Sequence, residues 1–311
     1  MFKLLSKESN IFSIPVYLVF LLAIVIFFNF FDSGSSNIVF YFNTLHTISA
    51  FITFAGIALG YFLFHQIDLT HHSHLPLFLY TFMVFALYPG YLDIGISVSL
   101  LTNSILLLIL SHQDNSMKNS HYLLSGSLLA VNYIFLPTTF PLIFFVILHI
   151  IGTSDRILQN IVRLFFGMLI VVLSYFSIAY FLHWNHWNTD YIPIVEFRLM
   201  RTFYPMYFLL PVMLMLVYAV FDHFANFNKK SPASRFKYTF LLIFSLSQLV
   251  TLFLYMGKNY EYLLLMAFPA TVILSRMLRF LPKYWMRELF LWIIILSLIL
   301  FKIGIYIDFI P

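Results

Sequence analysis

From Ile11 to Phe31 the chain runs 21 residues without a charge, and similar apolar runs recur along nearly its whole length. About 20 such residues are what a helix needs to cross the hydrocarbon of a bilayer. Composition agrees: 62% of the 311 residues are hydrophobic, 39 are Phe, 9% are charged, and mean hydropathy is +0.93. Soluble domains are about a quarter charged, so water is excluded as the solvent for most of this surface. The expected fold is all-α, a polytopic integral membrane helix bundle. It should form a single membrane domain over residues 1–311, with no separate soluble domain.

Apolar segments at 11–31, 44–64, 76–90, 94–111, 122–136, 138–152, 163–183, 203–221, 238–256, 262–275 and 289–307 predict about eleven transmembrane helices. The range is nine to eleven, because several segments are short or interrupted by Pro89, Pro137, Pro141 or Pro269. Proline removes a backbone donor and kinks or breaks a membrane helix, which neighbours must then satisfy. Segment 37–43 is expected to lie along the interface. The first run ends in Phe-Phe-Asp and not in a small-residue cleavage site, so it is expected to stay as the first span.

Charge gives the orientation. With the N-terminus cytoplasmic, Lys3, Lys7, Lys118, Arg156, Arg163, the run Lys229 to Lys237 and the run Arg276 to Arg287 all fall inside, 13 of the 17 Lys and Arg. Such an excess on cytoplasmic loops is what the positive-inside rule describes. The chain therefore reads as a multi-pass protein of a bacterial inner (plasma) membrane.

Several chemistries are excluded outright. The chain has no Cys, which removes disulfides, thiolate nucleophiles and Cys-ligated metal. It has no Walker A loop, no Rossmann glycine fingerprint, no His-Glu-x-x-His and no Gly-x-Ser-x-Gly. The pI near 9.2 does not point to nucleic acid, because the bases form no stripe.

Polarity concentrates in "FLHWNHWNTDYIPIVEFRLMRTFYP", Phe181 to Pro205, the longest outer loop. Arg198 and Arg201 stand there against the charge bias. If Val195 to Thr202 is helical, the two share a face at i and i+3 and offer planar forks suited to phosphate. Asp190 and Glu196 lie close in sequence, so a salt-bridged loop is the plainer alternative. Lys258 and Glu261 in "GKNYEY" fall on the same side, completing a candidate substrate-binding set of Arg198, Arg201, Glu196, Asp190, Lys258 and Glu261. Asp32, in "FFDSGSSN" after the first span, is the candidate catalytic base. Trp184 and Trp187 read as interfacial anchors. On the cytoplasmic side "DLTHHSHL" gathers His71, His72 and His74 near His65, an alternative metal site of neutral imidazoles. No cofactor is otherwise expected; iron or another divalent metal is the alternative.

An acid after the first span is followed by the inner loop and paired short segments "SHQDNSMKNSHYLLSGSLLAVNYIFLPTTFPLIFF". Then comes the charged loop and long span "SDRILQNIVRLFFGMLIVVLSYFSIAYFL". This layout is similar to membrane glycosyltransferases of the C superfamily and to polysaccharide polymerases. It resembles more closely a family of uncharacterised multi-spanning bacterial membrane proteins of this length. The resemblance implies handling of a lipid-linked sugar or polyprenyl phosphate at the outer leaflet, with Asp32 matched to the family's acid. Those transferases carry an acidic pair there, and here Asp32 stands alone. Two alternatives remain: a non-enzymatic subunit with a partner in an envelope or transport complex, and a His-rich iron oxygenase similar to carotenoid-cleaving enzymes, whose Pro-His-Gly element this chain lacks.

Overall fold

The computed structural model describes residues 1–9, 12–30, 44–67, 69, 73–90, 92–111, 118–183, 197–199 and 203–307. Every regular element among them is a helix. A short α1 (Phe2–Leu5) precedes α2 (Ser13–Phe30), α3 (Thr44–Ile67), α4 (His74–Leu87), α5 (Ile94–Ser111) and α6 (Lys118–Phe135). There follow α7 (Pro141–Thr153), α8 (Ile157–Phe181), α9 (Leu210–Ala225), α10 (Pro232–Tyr255), α11 (Leu264–Phe280) and α12 (Tyr284–Ile307).

Each of the eleven apolar segments is occupied by one of these helices. Seven are long and apolar enough to cross a membrane: α3, α5, α8, α10, α12, and α9 and α11 together with the 3₁₀ turns that lead into them. Apolar stretches Ser13–Phe28, His74–Leu87 and Pro137–Thr153 are shorter, and α6 begins on the polar stretch Lys-Asn-Ser-His. By length and apolarity alone, seven spans stand among the described residues where the sequence predicts about eleven. The segment 37–43 lies outside the described residues.

Prolines set several boundaries. Tyr88, before Pro89, is extended and ends α4, as expected for a residue crowded by the following ring. Pro141 opens α7 and Pro232 opens α10, where the missing N–H costs nothing. Ser231 caps α10 by accepting from the Ser234 N–H. Pro269 sits inside α11.

Burial separates an inner helix from an outer one. Of the spanning window of α11, 83% is buried, against 11% for α8. The α8 residues Leu158, Val162, Phe165, Phe166, Leu169 and Leu173 are all exposed. An apolar face of that extent has no place in water. In hydrocarbon it is the expected surface, because the helix satisfies its own backbone bonds. The chain has the make-up of a multi-pass membrane protein.

Small residues and hydroxyls join the first helices. Gly126 of α6 abuts the Leu164 carbonyl of α8, and Gly167 of α8 abuts the Leu123 carbonyl of α6. The two backbones touch where no side chain could fit, the close approach that small residues allow between membrane helices. Ser127 Oγ donates to the Gly167 carbonyl at 3.2 Å, and Ser104 of α5 donates to Gly56 of α3 at 2.8 Å. Ser99 donates to Asn132 Oδ1 between α5 and α6, and Thr53 donates to Ser97 at 2.8 Å between α3 and α5. The N-terminal ammonium pairs with Glu288 at 2.8 Å, tying Met1 to α12. Lys302, which the sequence places inside the last span, is buried. Its ammonium donates to the Tyr88 carbonyl at the end of α4 and lies 3.9 Å from the Phe28 ring centroid. A freed helix-end carbonyl and an aromatic face thus help satisfy a cation at membrane depth.

Candidate functional site

The helices of the C-terminal half do not close on one another. Between α9, α10 and α11, with Met83 and Leu87 of α4 and Leu298 of α12 behind them, lies a cavity of about 420 Å³. Its walls are hydrocarbon and thioether, with Met83, Met206, Met213, Met256 and Met266 among them. Ala267 and Ala270 cut the α11 wall back. Leu210 and Met213 of α9 and Phe253 of α10 line it while also being exposed. Its mouth therefore opens sideways between α9 and α10, toward the surface that lipid would cover. Methionine is unbranched and polarizable, and lines sites that accept chains of variable shape.

Polar residues ring one end of this chamber. Gly257, at φ +54°, turns the chain out of α10, a left-handed conformation that glycine adopts without strain. Lys258 follows, exposed, and the turn continues through Glu261 and Tyr262 into α11. The Arg198 N–H donates to the Leu254 carbonyl at 2.9 Å. Phe197 stacks on Tyr255 with centroids 5.6 Å apart. Those contacts hold Phe197–Leu199 against the end of α10, and Arg198 is exposed beside Gly257. Tyr260 donates to the Tyr204 carbonyl at 2.8 Å and Tyr204 to the Gly304 carbonyl at 3.2 Å, fixing the segment that enters α9.

Two acids meet at this rim. A Glu261 carboxylate oxygen accepts from the Asp93 N–H at 3.1 Å, and the two carboxylates lie within electrostatic range of each other. The Tyr262 hydroxyl is 3.1 Å from that of Thr138 and feels Arg198, Glu261 and Asp93 together. Cations, acids and phenols drawn from four separated stretches thus surround the end of an apolar chamber. A rim of that kind can receive an anionic head whose tail enters the chamber, and can offer it a carboxylate.

The sequence-predicted residues divide sharply. Arg198, Lys258 and Glu261 are brought to this rim. Asp32, Asp190, Glu196, Arg201, Trp184 and Trp187 lie outside the described residues. The helix expected over Val195 to Thr202 is corrected where it can be followed: Phe197–Leu199 are not helical, because the Arg198 N–H is spent on the end of α10. The condition for i, i+3 face-sharing is not met at Arg198, and Arg201 lies outside the described residues. Asp93 was missed, since an acid after Pro89 and Gly90 reads as an ordinary loop residue. The chamber was missed as well. His65, in the last turn of α3, and His74, which opens α4, lie toward the basic end. His71 and His72 lie outside the described residues, and among those described no group of three His, Asp or Glu is placed to hold a metal.

Fold and rim together define a class: a helical protein built to span a membrane, with a laterally open apolar chamber under a charged cap. Within that class the chain belongs to a family whose model, described as "Family of unknown function (DUF6427)", matches residues 1–307. No curated protein and no solved structure matches it.

Proposed function

We propose that this protein binds a lipid-linked phosphate, a polyprenyl phosphate or its sugar adduct, at the outer leaflet of a bacterial inner membrane. The polyprenyl chain enters the chamber between α9 and α10, and the phosphate meets Arg198 and Lys258. The observation that carries this reading is the joint one: a chamber of about 420 Å³ lined with Met and Leu, open toward lipid, ending beneath the Arg198–Lys258 rim. Each half fits one part of a single amphiphile. The N-terminus is cytoplasmic in this reading, which places the rim outside and the 13 bases inside, and all eleven apolar helices count as spans. Sugar transfer from such a carrier needs a carboxylate base. Glu261 and Asp93 at the rim, and Asp32 two residues past the end of α2, are the proposed acids.

Binding of a polyprenyl phosphate to purified protein in nanodiscs tests it. Charge-assisted hydrogen bonds are worth about 1.5–3 kcal/mol, and exposure of both side chains reduces that. Arg198→Gln combined with Lys258→Gln should weaken binding about tenfold, with the melting temperature unchanged. Equal affinity for the variant and the natural protein would remove the proposed head site.

A further inference from the structure

The segment 226–237, which joins α9 to α10 and opens the latter, folds back onto the bundle. Arg235 donates to the Lys230 carbonyl at 2.7 Å and to the Asn228 carbonyl at 2.6 Å, and its guanidinium covers Phe227 at 5.1 Å. Asn226 donates to Asp222 at 2.8 Å. Those bonds turn Lys230 inward. Its Nζ lies 3.1 Å from His223 Nδ1, 3.4 Å from the His223 carbonyl and 5.6 Å from the Tyr238 ring centroid. Arg276 of α11 reaches the same ring at 4.7 Å.

We propose that this cluster of Lys230, Arg276 and His223, at the N-terminus of α10, is a binding site for a phosphate oxyanion, separate from the chamber at the opposite end of the bundle. Arg276 is only 7% exposed. Among the described residues its one hydrogen bond is to Ser234 Oγ at 2.8 Å, and its other contacts are the faces of Tyr238 and Phe280. A guanidinium carries five donors in a fork that matches phosphate, so most of its capacity is unused. Burying a cation without an anion is costly. Among the described residues Asp222 is the acid that acts on the cluster, and its Oδ1 already accepts from Asn226. Two cations therefore outnumber one engaged carboxylate.

His223 supplies the independent sign. It is 0% exposed, and its Nε2 has no hydrogen-bond partner. An ammonium only donates, so with Lys230 charged, Nδ1 accepts and the neutral ring carries its hydrogen on Nε2. That is a buried donor still without an acceptor, whereas buried polar groups in proteins are nearly always satisfied. The end of α10 adds to it. This 24-residue helix begins at Ser231–Pro232 with no acid in its first turn, so no carboxylate there offsets the positive end of its dipole beside the cluster. Positive-inside bias accounts for bases in the loops here. It does not account for a buried arginine that shares the Tyr238 ring with a buried histidine.

A phosphate oxyanion at the end of a membrane bundle comes either from the headgroup of an anionic phospholipid or from a soluble phosphate compound. Full-length protein, stripped of lipid in a neutral detergent, separates the two. Thermal stability and native mass spectrometry would be followed with phosphatidylglycerol, phosphatidylcholine, or inorganic phosphate against chloride at equal ionic strength. Phosphatidylglycerol is expected to raise the melting temperature and be retained, with phosphatidylcholine inert. Lys230→Gln should weaken retention about tenfold. Arg276→Gln should act the same way, and if that variant fails to fold, Lys230→Gln decides alone. An equal stabilisation by inorganic phosphate, lost in Lys230→Gln, would assign the site to a soluble compound. No stabilisation by either, or the same stabilisation in Lys230→Gln, overturns the proposal. Neither outcome touches the chamber, whose test uses residues at the other end.

Discussion

Where α6 crosses α8, Gly126 and Gly167 bring two backbones into contact and Ser127 bonds across the seam. Where α9 faces α10, the walls are Leu, Met and Phe, and about 420 Å³ stays open between them. Each region includes helices apolar enough to cross a membrane, α8 in the first and α9 and α10 in the second. In lipid, apolar side chains gain little by leaving one hydrocarbon for another, so helices associate through close backbone approach and polar bonds. The first region has both. The second has neither along most of its length, and a chamber persists because nothing pulls it shut. Rigidity and capacity for a ligand thus fall in different halves of one bundle.

The sharpest way to break this contrast is to force a side chain into the tight seam. Gly167→Leu places carbon where the Leu123 carbonyl already sits. Overpacking of such a site costs about 3 kcal/mol or more, and the variant should be aggregated or sharply less stable by thermal size-exclusion chromatography. An unchanged melting temperature would mean that the two backbones are not in contact.

The matching change on the open side should be mild for stability and harmful for binding. Ala270→Leu adds three carbons to the chamber wall and should leave stability within about 1 kcal/mol of the natural protein, because space is available. It would displace about two methylenes of a bound chain, each worth about 0.8 kcal/mol. Polyprenyl phosphate should then bind roughly tenfold less tightly. Loss of stability without loss of affinity would show that the cavity is packing space and not a ligand site.

The smallest effect is a slope with pH at the basic end. Burial, and after it the Arg276 guanidinium, hold Lys230 below its usual lysine value, with Asp222 opposing. A base with a lowered folded pKa keeps its proton better when unfolded. Stability should therefore rise with pH from that lowered value up to the ordinary lysine range near 10.5, where the unfolded state binds more protons. Lys230→Met should flatten this alkaline rise in the melting temperature. An unaltered slope would assign the pH dependence to other groups.

Eleven helices were legible because runs of apolar residues report local solvation, and a run of 21 such as Ile11 to Phe31 needs no distant partner to be recognised. Boundaries were legible at Pro89 and Pro141 for the same local reason, while α10 begins at Pro232, six residues before the apolar segment 238–256. Arg198, Lys258 and Glu261 stood out as polar residues against an apolar background, and the structure brings all three to one rim. The expected helix over Val195 to Thr202 failed at Phe197–Leu199 because a tertiary bond to Leu254 took the Arg198 N–H, which no local pattern encodes.

What the sequence determined by itself was the membrane character of this protein and the placement of its apolar helices. Both follow from hydropathy summed over neighbours along the chain. Only the tertiary structure decided that Asp93 meets Glu261 across 168 positions and that Arg276 turns inward beneath Ser234. It also decided that five methionines surround one cavity. Those facts depend on which helix faces pack together, and in a bilayer packing is chosen by small residues and polar contacts between distant segments, whose partners the linear order of the chain does not reveal.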